Sequence, residues 1–491
     1  MVKLLLFFFA FNLISDLGYS GDYNIIEFGA TPNDNIGDTQ AIQEAIDHCA
    51  ENGGGKIDFP AGTWLSGTIF LKDNITINLS NGAILQGIND STAFPYLETR
   101  IMSREDEKPR KAMIYGYDLH NIKICGEGTF YPGGDYPMYK SSKKNKKTFF
   151  RPFGILLIKC KNITVEGIRM KHSAFWMQRF FYCDNVILQS LDIYNHSNLN
   201  NDGIDIDGCH NVIVSNCIVD ASDDALVLKS EGLRSCKDIT ITNCILSSHA
   251  TPLKCGTGSL GGYQRITISN IVIKPSKSKI MLHPLNAWGG LSGIDLLNVD
   301  GGIMEDITIN NIIMDSVETP IFIRLGNRHD TWPEKLETTP GITRNIRISN
   351  VTATNIGKIS SSIAGYPDHL IENVYLSNIS IAVRENMNFA DTTTSVKENS
   401  SGYPFNRMFN SSLPSYGFFI RHVKNINLSD IELKIQSSEV RPGFYLEDVD
   451  KAIFNHVTID KPEDNQSKIK IRNSKGIEFF GVKNNEIEYL H

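Results

Sequence analysis

The sequence predicts an all-β protein: a right-handed parallel β-helix, covered at its N-terminal end by an amphipathic helix. Three observations carry this. A short alternation of apolar and polar residues recurs along most of the chain, cysteines precede it at one fixed offset, and no helical patterning fills the intervals.

Residues 1–20, "MVKLLLFFFAFNLISDLGYS", have one lysine, an apolar run from Leu4 to Ile14 and small residues at Gly18–Ser20. This is the pattern of a secretory leader, and its apolar run is shorter than the roughly 20 residues a membrane span needs. Export is expected, to the cell exterior or the periplasm, and no later stretch reads as a membrane span. Residues 21–491 show no linker and read as one domain.

The stretch "GDTQAIQEAIDHCAENGGG", residues 37–55, comes next. Asp38 is placed to cap a helix. Ala41, Ile42, Ala45, Ile46 and Cys49 make one apolar face, and Asn52-Gly53 stops it. A stack of strands has open ends that template aggregation, so this helix is expected to cover the first coil.

The repeat follows. "HNIKICG" from His120, "KNITVEG" from Lys161, "DNVILQS" from Asp184, "HNVIVSN" from His210, "KDITITN" from Lys237 and "QRITISN" from Gln264 share one period-2 pattern, that of a strand with one face buried. Starts at 161, 184, 210, 237 and 264 step by 23, 26, 27 and 27 residues. That period fits one coil of a solenoid and is too short for a propeller blade. Parallel crossovers are nearly always right-handed. Later copies start at 305, 344, 372 and 424, where longer steps fit a second rung or an insertion. Cys160, Cys183, Cys209 and Cys236 precede the motif at one offset, so they should stack on an inward line as buried thiols. Asn216, Asn243, Asn270, Asn311, Asn350 and Asn378 recur at its end, either as stacked amides or as exposed turn residues. Residues 384–416 lose the periodicity and read as a long loop.

The segment "NNDGIDIDGCHNVIVSNCIVDASDDALVLKS", residues 200–230, crowds acids among strands. Asp202 and Asp223 are 21 residues apart, about one coil. Strands on successive coils lie about 4.7–4.9 Å apart, so the two should be neighbours, with Asp224 beside them. Carboxylates so gathered repel, and at least one pKa should rise. A protonated carboxyl beside an ionised one is the division of labour that glycoside hydrolysis uses. Asp205 and Asp207, alternating within "GIDIDG", read as structural or supporting positions. The net charge of −7 speaks against nucleic acid or an anionic membrane as partner. The CxxC and HExxH metal spacings are absent.

These motifs resemble the polygalacturonase family, family 28 of the glycoside hydrolases, over nearly all of the chain after the leader. "NNDGID" is similar to the family's Asn-Thr-Asp motif, "SDDALVLKS" to its Asp-Asp motif, and the N-terminal region from "EFGATPNDN" to "GAILQG" to its opening. The resemblance implies a right-handed β-helix and an inverting hydrolase without metal or cofactor. It implies Asp223 as general acid, with Asp202 and Asp224 activating water. It also brings Lys229 to the cleft and sets Trp176, in "HSAFWMQRF", at the family's Phe-Trp position, where an indole either stacks on sugar or simply packs. Trp288 in "LNAWGG" carries the same two readings.

The chain departs from the family at two places. Gly-His-Gly is replaced by "SSHATPLKCG", leaving His249 displaced by one residue, as a turn histidine or a partner of the acids. Arg-Ile-Lys is replaced by Asp295-Leu296-Leu297. The lost cations would have held a uronate carboxylate, so a neutral sugar, or a uronate in another subsite, is expected. Asp295 either accepts sugar hydroxyls or is a turn acid. Arg324 in "FIRLGNRHD" is a candidate sugar ligand, against a surface ion pair. The basic run 140–152 reads as a solvated loop or as one over the cleft. Substrate is expected to be a polysaccharide or oligosaccharide acted on by a monomer. A β-helix lyase using a cationic base with Ca²⁺, and a non-catalytic glycan-binding β-helix, stay open.

Overall fold

The computed structural model describes residues 21–103, 109–140, 150–278, 289–328, 340–384, 395–409, 413–436, 438–460, 467–483 and 486–490. The leader 1–20, Trp288, most of the basic run (141–149) and residues 385–394 lie outside them.

The chain is a parallel β-helix, and strands on successive coils pair in parallel. The repeat forms one sheet in continuous register, running Ile163, Val186, Val212, Ile239, Ile266, Ile307, Ile346, Val374, Ile426. A second stack runs Met170, Ile193, Val219, Leu246, Ile273, Met314, Ala353, Ile381. A third, which carries the acids, runs Ile155, Gln178, Ile204, Leu226, Leu253, Ile294, Ile321. The apolar residues of all three stacks belong to one buried core, with Gln178 buried among them as the polar exception. The long step from 264 to 305 is a single coil, since Gln264 pairs directly with Glu305. The extra residues are an insertion and no second rung.

The helix Thr39–Glu51 buries Ile42, Ala45, Ile46 and Cys49 as patterned. It also satisfies edge backbone: Gln43 accepts from Phe70 N at 2.9 Å and donates to Phe70 O at 3.0 Å, and Thr39 Oγ1 accepts from Gly67 N at 2.8 Å. That removes donors and an acceptor which would otherwise template another strand. Asp38 departs from expectation. Its carboxylate makes no cap bond to the helix and accepts instead from Thr31 N at 2.9 Å and Leu65 N at 3.0 Å. The carboxylate ties the helix start to the first coil, and burial raises its pKa.

All nine cysteines are free thiols. Cys160, Cys183, Cys209 and Cys236 are buried, and Cys209 Sγ accepts from Cys183 N at 3.3 Å. The asparagines form a ladder: each Nδ2 reaches the previous coil's Oδ1 from Asn243 to Asn216 (3.4 Å), Asn270 to Asn243 (3.1 Å), Asn311 to Asn270 (3.1 Å), Asn350 to Asn311 (3.1 Å) and Asn378 to Asn350 (2.7 Å). Every one has φ between 52° and 57°, the left-handed region that asparagine tolerates better than most residues. A second ladder sits at the motif's second position. Asn121, Asn162, Asn185 and Asn211 bond in turn at 2.9, 2.9 and 3.2 Å, again with positive φ.

Candidate active site

The acids stand where chain enters the third sheet. The strands Ile204–Asp207 and Leu226–Ser230 pair with Ile204 opposite Leu226. This coil is therefore 22 residues long by register (204 to 226), one more than the spacing of Asp202 and Asp223. Asp202 accordingly aligns with Asp224: Gly203 N donates to Asp224 O at 2.9 Å, while Asp223 N donates to Asn201 O at 3.3 Å. Gly203 permits this approach, since a Cβ there would lie 2.5 Å from Ala225 O.

Buried polar side chains fix these turns. Asn195 Nδ2 donates to Asp202 O at 2.9 Å, Asn201 Nδ2 to Phe175 O at 2.6 Å, and Ser222 Oγ to Asn198 O at 2.7 Å. Ser248 Oγ donates to Asp223 O. Arg151, at the end of the basic run, is buried and donates to Ala174 O at 3.1 Å and to Leu199 O. It also reaches Asn200 Oδ1 at 3.4 Å, and Asn200 Nδ2 in turn donates to Asp223 Oδ2 at 3.2 Å. This end of the run braces the acid-bearing turn rather than standing in solvent.

The acids divide into buried and accessible. Asp202 is only 2% exposed. Lys229 Nζ lies 2.8 Å from Asp202 Oδ2 and 2.7 Å from Asp205 Oδ1, a sealed trio of two carboxyls and one ammonium. Burial pushes the Asp202 pKa well above the usual carboxylate range against the pull of Lys229, and Asp205, Asp223 and Asp224 push it further. Burial likewise raises Asp205 to about 6, opposed by Lys229. Burial disfavours the charged lysine too, but the three carboxylates overcome it and raise its pKa. The trio therefore binds a proton more readily than two exposed carboxylates would. The repulsion expected from the sequence is resolved at Asp202 and Asp205.

Asp223 and Asp224 line two adjoining chambers, together with Lys254 and Tyr403. The larger, about 450 Å³, adds Trp176, Asn200, Lys229, Glu231, Thr257, Arg328 and Ser401. The smaller, about 140 Å³, adds Asp295, Thr251, Ser292 and an apolar wall. Lys254 Nζ donates to Asp224 Oδ2 at 2.8 Å. Lys254 pairs in register with Asp295 one coil on, so a lysine does reach the altered motif, from the preceding coil.

Other candidates sit elsewhere than expected. Arg324 is buried with its guanidinium donating to Ala364 O (3.2 Å), Gly365 O (2.7 Å) and Asn399 O (3.0 Å), and it lines neither chamber. Arg328 is the arginine of that segment at the cavity, and it is paired to Asp300 at 2.6 Å. His249 is buried and lines neither chamber; its ring packs edge-on against His196 at 5.0 Å. Trp176 lines the larger chamber, yet Lys229 Nζ lies 3.2 Å from its ring centroid and Phe175 stacks on it at 5.1 Å. It is a platform for Lys229. Asp295 lines the smaller chamber and accepts from Thr251 Oγ1 at 2.9 Å.

Sequence reasoning missed Lys254, Tyr403 and Asn200. Lys254 sits outside any acidic motif, though its in-register position opposite Asp295 was readable once the coil was assigned. Tyr403 belongs to the non-repeating stretch 384–416. Residues 395–409 of it form a cover across the cleft. Arg407 forks onto Glu318 at 2.8 and 2.8 Å, Asn327 N donates to Ser400 O at 2.9 Å, and Tyr403 OH meets Thr257 Oγ1 at 3.0 Å.

A solenoid of parallel strands with a carboxylate-lined groove at one turn edge is the class that this fold and site define. Residues 49–401 match the family described as glycosyl hydrolases family 28, and the chain belongs to that family. It is 25% identical over 215 residues to a probable polygalacturonase of Vitis vinifera, covering 42% of this chain and 44% of that protein. It is 26% identical over 250 residues to an exo-poly-alpha-D-galacturonosidase of Dickeya chrysanthemi, covering 41% of each. The chain thus matches under half the length of these two curated relatives. Among solved structures, an exopolygalacturonase from Thermotoga maritima has TM-score 0.63 at 21% identity, covering 74% of this chain and 87% of that one. The family 28 exopolygalacturonase of Yersinia enterocolitica has TM-score 0.63 at 18% identity, covering 88% and 78%. These likenesses show the same fold.

Proposed function

We propose that the protein is an exported glycoside hydrolase that cleaves a pectin-like or related polysaccharide with inversion. Asp223 protonates the leaving oxygen, and Asp224, with Asp202 behind it, activates water. The observation that supports this best is the placement of Asp223 and Asp224 on one turn at the junction of two chambers, with the Asp202 carboxyl close enough to feel both charges. Inversion needs space for water between acid and base, and the two adjoining chambers that Asp223 and Asp224 line are where that water would stand. The leader at 1–20 would deliver the chain outside the cytoplasm, where it acts as a monomer and without a cofactor.

The relatives' names point to galacturonate, but the cavity favours an uncharged unit at the cleaved bond. Among the described residues its three cations are already engaged: Lys229 by Asp202 and Asp205, Lys254 by Asp224, and Arg328 by Asp300. A uronate carboxylate would enter among Asp223, Asp224 and Asp295 with no spare cation of those residues to meet it, and an unpaired buried charge is costly. The same engagement disfavours a lyase, whose base would be a free cation. Purified protein incubated with defined glycan oligomers should release saturated products with new reducing ends. An ultraviolet-absorbing unsaturated product would instead establish lysis. Undiminished function in Asp223→Asn would establish a binding protein.

A further inference from the structure

The smaller chamber has a composition that the proposed reaction does not by itself require. One wall is apolar: Ala250, Leu291, Pro404 and Phe405. Ala250 and Leu291 are buried, and Leu291 N donates to Ala250 O at 2.8 Å, which fixes the two together. Pro404 and Phe405 are brought over by the cover segment, which Asn406 anchors by donating to Leu291 O and, at 3.1 Å, to Thr319 Oγ1. The same chamber is also lined by Asp295, only 3% exposed. Its Oδ2 accepts from Thr251, while among the described residues its Oδ1 has no hydrogen-bond partner, and the Ser292 hydroxyl on the same lining has none either. A buried carboxyl oxygen left without a donor beside a cavity calls for a hydroxyl from outside the protein.

From these walls we infer that the chamber is a specificity site for a neutral sugar unit bearing a methyl group. The ring hydroxyls face Asp295 and Thr251, and the methyl lies against Leu291 and Phe405. The inference rests on the hydrolase reading and names the unit that this same site accepts. Two sources carry the required methyl: a 6-deoxyhexose, and a uronate methyl ester. Both replace an ionised carboxylate by an apolar tip at the position where the sequence has exchanged cations for Asp295-Leu296-Leu297. An ionised uronate would set its charge among Asp223, Asp224 and Asp295, the last raised to about 6 by burial although Lys254 pulls it down.

Binding and turnover test this separately. Full-length Asp223→Asn is titrated calorimetrically with four matched oligosaccharides: de-esterified oligogalacturonate, its methyl ester, a 6-deoxyhexose oligomer and a plain neutral hexose oligomer. One of the two methyl-bearing ligands should bind at least about tenfold tighter than its counterpart without the methyl, since a methyl-sized group in an apolar pocket discriminates by roughly 10–200-fold. Which one does so identifies the source. Leu291→Asp should erase that preference while Thr257→Val, on the other chamber, keeps it. Binding of de-esterified oligogalacturonate as tight as the methyl-bearing ligands, or a preference untouched by Leu291→Asp, overturns the inference. Wild-type protein that binds with this preference but cleaves none of the four overturns the hydrolase reading alone.

Discussion

Lys229 Nζ lies 2.8 Å from Asp202 and 2.7 Å from Asp205, all three side chains being nearly sealed from solvent. The ammonium makes a pair of buried carboxyls tolerable one coil below Asp224. Lys229→Met removes the charge but keeps the stem. It should destabilise the protein by about 3–5 kcal/mol, the cost of leaving buried charge uncompensated, as measured by urea unfolding at pH 7. A loss under about 1 kcal/mol would mean that the trio is neutral already.

Asp223→Asn should reduce turnover by at least about 10²-fold, the contribution of a positioned proton donor, with an unchanged unfolding midpoint. Substrate-depletion kinetics and a thermal melt on the same preparation check both halves. An active variant refutes the assignment of the acid.

Asp295 and Asp205, each raised to about 6, make stability depend on pH in a definite direction. An acid whose folded pKa exceeds its unfolded one binds its proton more tightly when folded. That contribution is full below the unfolded value near 3.9 and is lost as pH rises through about 6. Asp295→Asn should therefore be stabilising relative to wild type at pH 7, by about 3 kcal/mol at most for two pKa units, and roughly neutral near pH 4. Paired melts at the two pH values decide this; an equal effect at both sinks it.

Asn270 sits mid-ladder with φ 57° and bonds on both sides. Asn270→Ala should cost about 2–3 kcal/mol, from left-handed backbone plus two amide bonds. Asn270→Gly should cost less, because it relieves the backbone. Unfolding curves that rank alanine above glycine would show that the hydrogen bonds and not the conformation dominate.

Tyr403 is 57% exposed and faces both chambers from the cover. Tyr403→Ala should lower kcat/KM about tenfold through lost sugar contact, with stability within about 0.5 kcal/mol of wild type. Steady-state kinetics with a matched melt separates the two.

The coil was legible because every inward residue of the repeat answers to one rule, burial on a period of two. The cysteine line and the asparagine positions followed from the same register. The site was legible only as far as motif and register reached. Asp223 and Asp224 were found, but their partner alignment was off by one, because coil length here is 22 residues and the neighbouring coils differ. Arg324 and Arg328 sit in one short segment, and sequence alone could not say which of them meets backbone carbonyls. Tyr403 and Pro404 were invisible because a segment without periodicity carries no register. Lys254 was hidden by distance: its partner Asp224 lies 30 residues away and on a different coil.

The two amide ladders have a consequence for how this chain could change length. Each rung must meet its neighbour's oxygen, so an extra residue inside a ladder-bearing strand would shift every later amide out of reach. Residues added at corners leave the rungs where they were. The long excursions near 274–291, 326–341 and 384–417 all leave and rejoin at such corners, with Asn311 still reaching Asn270, Asn350 reaching Asn311 and Asn425 reaching Asn373. Growth in this architecture therefore comes as whole turns or as side excursions. It was one such excursion that supplied the roof over the acids.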